Sequence, residues 1–339
     1  MKNVYSCRVS DGSARPDISI IVVNHKSADL TRRALAAART AAGDLSLEEI
    51  VVDAGLAPAE VEALKSGCSH ANLVLLRRAH GFASGCNEGV NVANGRFVLL
   101  LNPDAFARGE AVKRLFEVVD SDARIGVAAP IMLDERGQPQ SYFHRRVPDL
   151  LTLFFDLCLP WSMLAAGRSL DPLHVPRRLN RGVRDIAHAT WAVLLVRREA
   201  IESSGLLADG FFLYFEETEW QARIARAGWR IVGVADAAFV HLGGGSSEGH
   251  PFESRHYYNS ICRYYSDPLA ALAVAEVGIA ISLSCVALAW LVGFKRSRAT
   301  QLWRRYARAH RLVSMNIRRL LSGVCVSAYR NAAVAGSNG

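Results

Sequence analysis

Short apolar, β-branched runs alternate along the chain with stretches of helical periodicity. Ile18–Val23 is a run of six apolar or small residues with no charge, the pattern of a strand buried on both faces. Ile50–Val52, Leu73–Leu76, Phe97–Leu101 and Gly126–Pro130 repeat it at shorter length. Between them, Ser27 can cap a helix over about 29–40, and Val112, Leu115, Phe116 and Val119 fall at i, i+3, i+4 and i+7 of another. Residues 140–187 carry prolines at 148, 160, 172 and 176 and read as loops and short helices. Order returns with a strand over 192–196, a helix over 217–227 stopped by Gly228, and two strands over 230–234 and 238–241. The β-α-β-α order predicts an α/β fold with a mostly parallel sheet and helices on both faces. Its ligand site belongs at the carboxyl ends of the strands.

The last third changes character. Val277–Phe294 is 18 residues without a charge, at the lower edge for a membrane-crossing helix. Over 301–321, Leu302, Tyr306, Ala309, Val313, Ile317 and Leu320 form one helical stripe, with Arg304, Arg305, Arg308, Arg311 and Arg318 mainly off it. That is the pattern of a helix lying in a membrane interface, or of a core-facing helix with a solvated basic face. The expected organisation is a leader over 1–16, a catalytic-sized body over 17–262, a helical membrane-associating region over 263–325 and a tail over 326–339.

Charge sharpens this division. The 339 residues carry 40 Lys and Arg against 32 Asp and Glu, a net charge of +8, yet no Asp or Glu follows Glu276. Ten basic residues do, so the body is near neutral and the excess belongs to the tail. A basic, apolar tail suits an anionic membrane surface better than nucleic acid, for which no recognition motif is present. One full crossing would put body and basic tail on opposite sides, while both suit the cytoplasm. Peripheral attachment to the cytoplasmic face of the cell membrane satisfies both. Seven scattered cysteines without a Cys-x-x-Cys fit a reducing compartment rather than a disulfide framework. The first 17 residues lack the apolar core of a signal peptide. Oligomeric state stays open, a homodimer included.

Four clusters carry candidate chemistry. Asn102-Pro103-Asp104 follows the most apolar strand; it is a turn by composition, or a carboxylate holding Mg²⁺ or Mn²⁺ at the rim of the cleft. His80 to Gly89 holds Gly81, Gly85, Asn87 and Gly89, which either let backbone approach a ligand or make a tight strand-to-helix turn. Phe211 to Trp220 runs aromatics into Glu216, Glu217 and Glu219 at a helix start. These are ordinary first-turn carboxylates, or a general base that the helix dipole keeps ionised and the aromatics shield. His241, ending a strand before three glycines, is structural or a metal ligand.

In this order, the stretches IIVVNHKSADLTRRAL, EIVVD, HGFASGCNEGVNVANGRFVLLLNPD, AVLLVRREAI, GLLADGFFLYFEETEWQARIARAGWRI and AFVHLGGGSS resemble the inverting family-2 glycosyltransferases of GT-A fold, especially their rhamnosyltransferase-like branch. The resemblance spans about residues 17–247. It implies a metal-dependent hexosyltransferase using a nucleotide-diphosphate sugar. Val23, Asn24 and Asp53 match nucleoside-binding positions, and Gly81, Gly85, Asn87 and Gly89 the donor-phosphate and sugar loop. Asn102 and Asp104 match the Asp-x-Asp-type motif, with Asp104 and His241 as metal ligands. Glu217 takes the place of the family's Asp base, with Glu216 beside it. Trp191, Tyr214 and Glu216 fall at acceptor positions. The implied reaction transfers a sugar to a glycan or lipid-linked glycan in cell-surface polysaccharide assembly. Three departures motivate an alternative, a nucleotide-sugar-binding protein of impaired catalysis: Ala54-Gly55-Leu56 after Asp53, His80 before Gly81, and Glu217 for Asp. A nucleotidyltransferase is disfavoured, since no basic Gly-rich early loop is present to grip a triphosphate.

Overall fold

The computed structural model describes residues 15–53, 57–76, 81–140, 143–158, 182–190, 192–243, 253–291 and 296–322. The chain forms two compact units. The first gathers residues 1–147, 174–209 and 216–248; the second gathers 148–173, 210–215 and 249–339.

The first unit is built on a nine-stranded sheet. In chain order its elements are β1 (Ile18–Asn24), α1 (Ala28–Ala42), β2 (Leu47–Asp53), α2 (Pro58–Gly67), β3 (Asn72–Leu75), α3 (Phe82–Val92), β4 (Phe97–Leu101), β5 (Ala105–Ala107), α4 (Ala111–Ser121) and β6 (Ile125–Leu133). Later come β7 (Phe143–His144), β8 (Val183–Asp185), β9 (His188–Ala189), β10 (Val193–Arg197), α6 (Arg198–Ser204), α7 (Glu216–Arg226) and β11 (Arg230–His241). The strands lie in the order β3-β2-β1-β4-β10-β6-β11-β5, with β8 also on β11, and β7 and β9 pair apart. β1, β2, β3 and β4 are mutually parallel, β10 runs antiparallel between β4 and β6, and β11 is parallel to β6.

Alternation along the central strands sorts side chains onto two faces. Ile18, Ile20 and Val22 of β1 and Phe97, Leu99 and Leu101 of β4 pack with Leu35 and Ala38 of α1, Leu64 of α2 and Leu115 of α4. Ile21, Val23, Val98 and Leu100 pack on the other face with Ala83, Cys86 and Val90 of α3, Ile201 of α6 and Trp220 of α7. The continuous apolar runs are explained by this double burial. The two strands expected over 230–241 are one, its register shifting between Val234 and Ala238. A bulge there keeps the ladder intact past Ala235–Ala237.

The second unit is helical. It contains α5 (Leu150–Leu157), α8 (Arg255–Tyr264), α9 (Pro268–Leu291) and α10 (Arg296–Leu321). α9 buries one stripe: Ala271, Leu272, Ala275, Gly278, Ile279, Ser282 and Val286. Gly278 lets the two helices approach closely: a Cβ there would sit 3.2 Å from both Leu157 Cβ and the Phe154 carbonyl oxygen of α5, a tight contact. Ser282 hands its hydroxyl to the Leu157 carbonyl at 2.8 Å. α9 is long and apolar enough to cross a membrane by length and composition, with a mean hydropathy of 2.2 over 18 residues. The aromatics 211–215, expected to shield a carboxylate, join this unit's packing. Phe215 lies 5.6 Å from Tyr257 and 5.0 Å from Tyr264, and Phe212 stacks on His256 at 4.4 Å.

Candidate active site

Strand direction decides where the site residues gather. β1, β2 and β4 end together at one edge, with Asn24 opposite Asp53 and Val22 opposite Leu101. β11 ends at the same edge, because β10 reverses between β4 and β6 and β11 follows β6. Asn24, Asp53, Asn102, Asp104 and His241 therefore share the carboxyl edge of the sheet, the usual ligand rim of such folds.

Asp104 and His241 are brought together by strand pairing. β5 lies antiparallel to β11 with Ala105 opposite His241, and Leu242 N–H donates to the Asp104 carbonyl at 3.1 Å. The His241 Nε2 is then 3.4 Å from the Asp104 Oδ1, with Asp104 only 2 % exposed. Ala105 N–H donates to the Asn102 carbonyl at 3.1 Å, so Asn102-Pro103-Asp104 is a turn, as its composition says, and the turn aims the carboxylate. The Asn102 Oδ1 is buried without a hydrogen-bond partner among the described residues. A carboxylate and an imidazole 3.4 Å apart can both reach one divalent ion, whose bonds to such ligands run about 2.0–2.2 Å. The residues thus fit Mn²⁺ or Mg²⁺ held by two side chains; no group of three His, Cys, Asp or Glu is assembled among the described residues.

On the neighbouring strands, Asn24 is fully engaged. Its Nδ2 donates to Asp53 Oδ1 at 2.9 Å and to Glu60 Oε1 at 3.1 Å, and its Oδ1 accepts from Ser27 and Thr31. Glu60, which the sequence reading missed, also accepts the Ala28 N–H at 2.7 Å and so ties the start of α1 to this edge. It lies in the first turn of α2, and only the fold brings that turn to Asn24 and the start of α1.

The glycine loop is put to a different use. Gly81 begins α3 with φ 92°, a backbone conformation that favours glycine. Gly85 and Gly89 face β1: a Cβ on Gly85 would lie 2.7 Å from Val23 Cγ1, and one on Gly89 2.4 Å from Ile21 Cγ2. Their four-residue spacing is that of one helix face, and it lets α3 sit directly on the strand. Asn87 points elsewhere again. Its Nδ2 donates to the Leu207 carbonyl and to Asp209, each at 2.8 Å, and its Oδ1 accepts the Leu207 N–H at 3.0 Å.

Glu216 and Glu217 open α7 and are both buried. Burial, and then the adjacent Glu217 charge, hold the Glu216 carboxyl well above its usual 4.5. Burial and the Glu216 charge push the Cys86 thiol up as well. That places Glu216 near α3, where Gly85 abuts Val23 at the end of β1. Tyr214 and Phe215, just before the pair, both have left-handed backbone, φ 72° and 67°. Such strain in bulky residues persists only where surrounding structure imposes it, and it gathers at functional sites. Gln221, also missed, clamps α7 to β9: it accepts the Ala189 N–H at 2.9 Å and donates to the Ala189 carbonyl at 2.8 Å. Trp191 and His80, together with Ala54-Gly55-Leu56, lie outside the described residues.

The first unit is thus a nucleotide-binding type of α/β sheet with an acidic, histidine-bearing rim at the carboxyl ends of its strands. Residues 19–203 match the model of the family "Glycosyl transferase family 2", and the chain belongs to that family. Among its relatives, the low-salt glycan biosynthesis hexosyltransferase Agl10 of Haloferax volcanii is 26% identical over 227 residues, 65% of each chain. An N-acetylglucosaminyl-diphospho-decaprenol L-rhamnosyltransferase of Mycobacterium tuberculosis is 25% identical over 154 residues, 43% of this chain and 46% of that one. The chain therefore matches less than two thirds of the length of these relatives. Among solved structures, the Pyrobaculum calidifontis mannosyltransferase PcManGT with GDP-Man and Mn²⁺ superposes with a TM-score of 0.56 at 15% identity, covering 94% of this chain and 90% of that one. GalNAc-T7 with UDP, GalNAc and Mn²⁺ gives 0.52 at 14% identity, covering 78% and 51%. These two likenesses establish the GT-A type of fold.

Proposed function

We propose that the protein is an inverting glycosyltransferase that moves a hexose, rhamnose the leading candidate, from a nucleotide-diphosphate donor to a hydroxyl of a glycan or lipid-linked glycan in cell-surface polysaccharide assembly. The observation that carries this reading is the 3.4 Å approach of Asp104 and His241 at the carboxyl edge of the sheet, in a chain belonging to glycosyl transferase family 2. Two relatives named as a hexosyltransferase and a rhamnosyltransferase support it.

In this reading Val23, Asn24 and Asp53 receive the nucleoside, and Asp104 and His241, with Asn102 beside them, hold Mg²⁺ or Mn²⁺. A cation held there would supply positive charge against the charge that builds on the leaving diphosphate. The Gly81 turn, with Gly85, Asn87 and Gly89 behind it, keeps α3 close to β1 and so shapes the donor pocket. Glu216 and Glu217 take different tasks in this reading, burial and the adjacent Glu217 charge raising the Glu216 carboxyl above its ordinary range. Glu217 accepts the proton of the acceptor hydroxyl as its oxygen bonds to the anomeric carbon. The bond from that carbon to the diphosphate breaks on the opposite face, which inverts the centre. Glu216, beside the base, is an acceptor-binding candidate together with Tyr214 and Trp191.

The second unit serves attachment to the cytoplasmic face of the membrane. Its helix α9 presents Val277, Ile281, Leu288 and Leu291 to solvent opposite its buried stripe. A carboxylate within that helix, Glu276, pairs with His310 of α10. A charged pair at this partly exposed place along the apolar helix favours a hairpin lying in the interface over a complete crossing.

The test is transfer from a panel of nucleotide sugars with Mn²⁺ or Mg²⁺ to a lipid-linked acceptor, with Glu217→Gln alongside. The expected result is loss of transfer by about 10²–10⁴-fold in the variant at unchanged donor affinity. Donor binding without turnover in the parent protein, with every donor and acceptor tried, would select the binding-protein alternative instead.

A further inference from the structure

Four arginines of α10 line one groove of the second unit, at positions that fall on a single helical face: Arg304, Arg305, Arg308 and Arg311. The groove has a volume of about 490 Å³, the size of a small-ligand site. Among the described residues its one acidic lining residue, Glu253, is taken by Arg305, whose Nε lies 2.9 Å from Glu253 Oε1. Among the described residues, Arg304, Arg308 and Arg311 form no ion pair. Like charges three and four residues apart disfavour a helix, so this stripe works against its own fold unless an anion sits on it. Arginine's planar fork matches phosphate oxygens in particular. From Arg304 to Arg311 the helix rises about 10 Å, which is more than one phosphate needs.

The same end of the unit is apolar. Glu276 meets His310, and Ser282 lies beside Tyr306, so α9 and α10 run antiparallel. That register sets the end of α9 beside the start of α10. Leu288, Trp290 and Leu291, 62 %, 52 % and 72 % exposed, therefore project from the end of the hairpin that carries the groove. A free phosphate has no use for such neighbours, whereas a lipid phosphate offers chains for the apolar end and oxygens for the arginines.

We infer that the groove lined by Arg304, Arg305, Arg308 and Arg311 is a binding site for the diphosphate headgroup of a membrane lipid. The inference rests on the membrane attachment proposed above and goes beyond a diffuse attraction to negative charge: one site, one headgroup, on defined residues.

The experiment is flotation of the full-length protein with phosphatidylcholine vesicles carrying either phosphatidylglycerol or a polyprenyl diphosphate, matched in surface potential. Tighter binding to the diphosphate vesicles, by about tenfold, is expected, since a discrete bidentate site adds roughly that factor. Arg304→Gln with Arg308→Gln should abolish the preference. Arg318→Gln with Arg319→Gln removes the same charge from the exposed end of α10 outside the groove and should retain it. Equal binding to the two vesicle types, or equal loss in both double variants, overturns the site while leaving membrane attachment standing. Inorganic diphosphate binding as tightly as the lipid overturns the lipid source. Failure to float with either vesicle overturns attachment and site together. Circular dichroism and the nucleotide-induced thermal shift of the first unit show that the variants fold.

Discussion

Replacing Gly89 by Ala separates two uses of the glycine loop. The new methyl would fall 2.4 Å from Ile21 Cγ2, 3.2 Å from Ile21 Cδ1 and 3.3 Å from Val52 Cγ2. Ile21 cannot give way easily, since β1 is held between β2 and β4 and the side chain is fully buried. Overpacking of this kind costs about 1–3 kcal/mol, and a contact so short belongs at the upper end. Ala also gains about 1 kcal/mol over Gly in a helix interior. The net is a loss of about 2 kcal/mol, or roughly 4–8 °C in Tm for a unit of this size. Ile21→Ala alone costs about 2–5 kcal/mol through the cavity it leaves. In the double variant the two methyl changes compensate, and a coupling of about 1 kcal/mol or more is expected from thermal or urea melts of the four proteins. Nucleotide affinity of the folded Gly89→Ala protein should stay within about twofold of the parent, because the glycine touches the sheet and not the ligand. A normal Tm with lost nucleotide affinity would refute the packing argument and return Gly89 to the donor.

Two further outcomes follow from buried polar groups. Glu216→Gln should raise stability at neutral pH: the folded-state carboxyl titrates above its unfolded value, so the stability it contributes is full below 4.5 and is lost as pH rises toward the raised value. The Tm gain of the variant should therefore shrink to nothing as pH falls below 4.5; a gain independent of pH would contradict the burial of that carboxyl. Asn87→Ala strips the partners from the buried Leu207 N–H and carbonyl and should cost about 2–4 kcal/mol in urea unfolding. A loss below about 0.5 kcal/mol would mean that Asn87 is not the tie between α3 and residues 207–209.

The central strands were legible because double burial leaves their middles apolar: Phe97–Leu101 is the same segment in the pattern and in the fold. The ends of elements were less so, as with β11, where Ala235–Ala237 reads as a break and folds as a bulge. At the site, residues acting through local backbone were readable: Asp104 follows its strand directly, and His241 ends one. Those acting through distant partners were not. Asn87 bonds to Leu207, 120 residues away, and nothing around Asn87 in the sequence announces it. Gly85 and Gly89 carry a spacing that serves a phosphate loop and a helix–strand contact equally, and only the position of β1 decides between them. The aromatics before Glu216 read as its surroundings, and in the fold Phe211–Phe215 also pack in the second unit, which the sequence had marked by its apolar run and its basic helix.

Mn²⁺ binding to the full-length protein, followed by electron paramagnetic resonance with and without a nucleoside diphosphate, bears most directly on the role given to the Asp104–His241 pair. One nucleotide-enhanced site per chain in the parent protein, lost in Asp104→Asn and weakened in His241→Asn while the fold persists, is the predicted result. Unchanged Mn²⁺ binding in Asp104→Asn would contradict it.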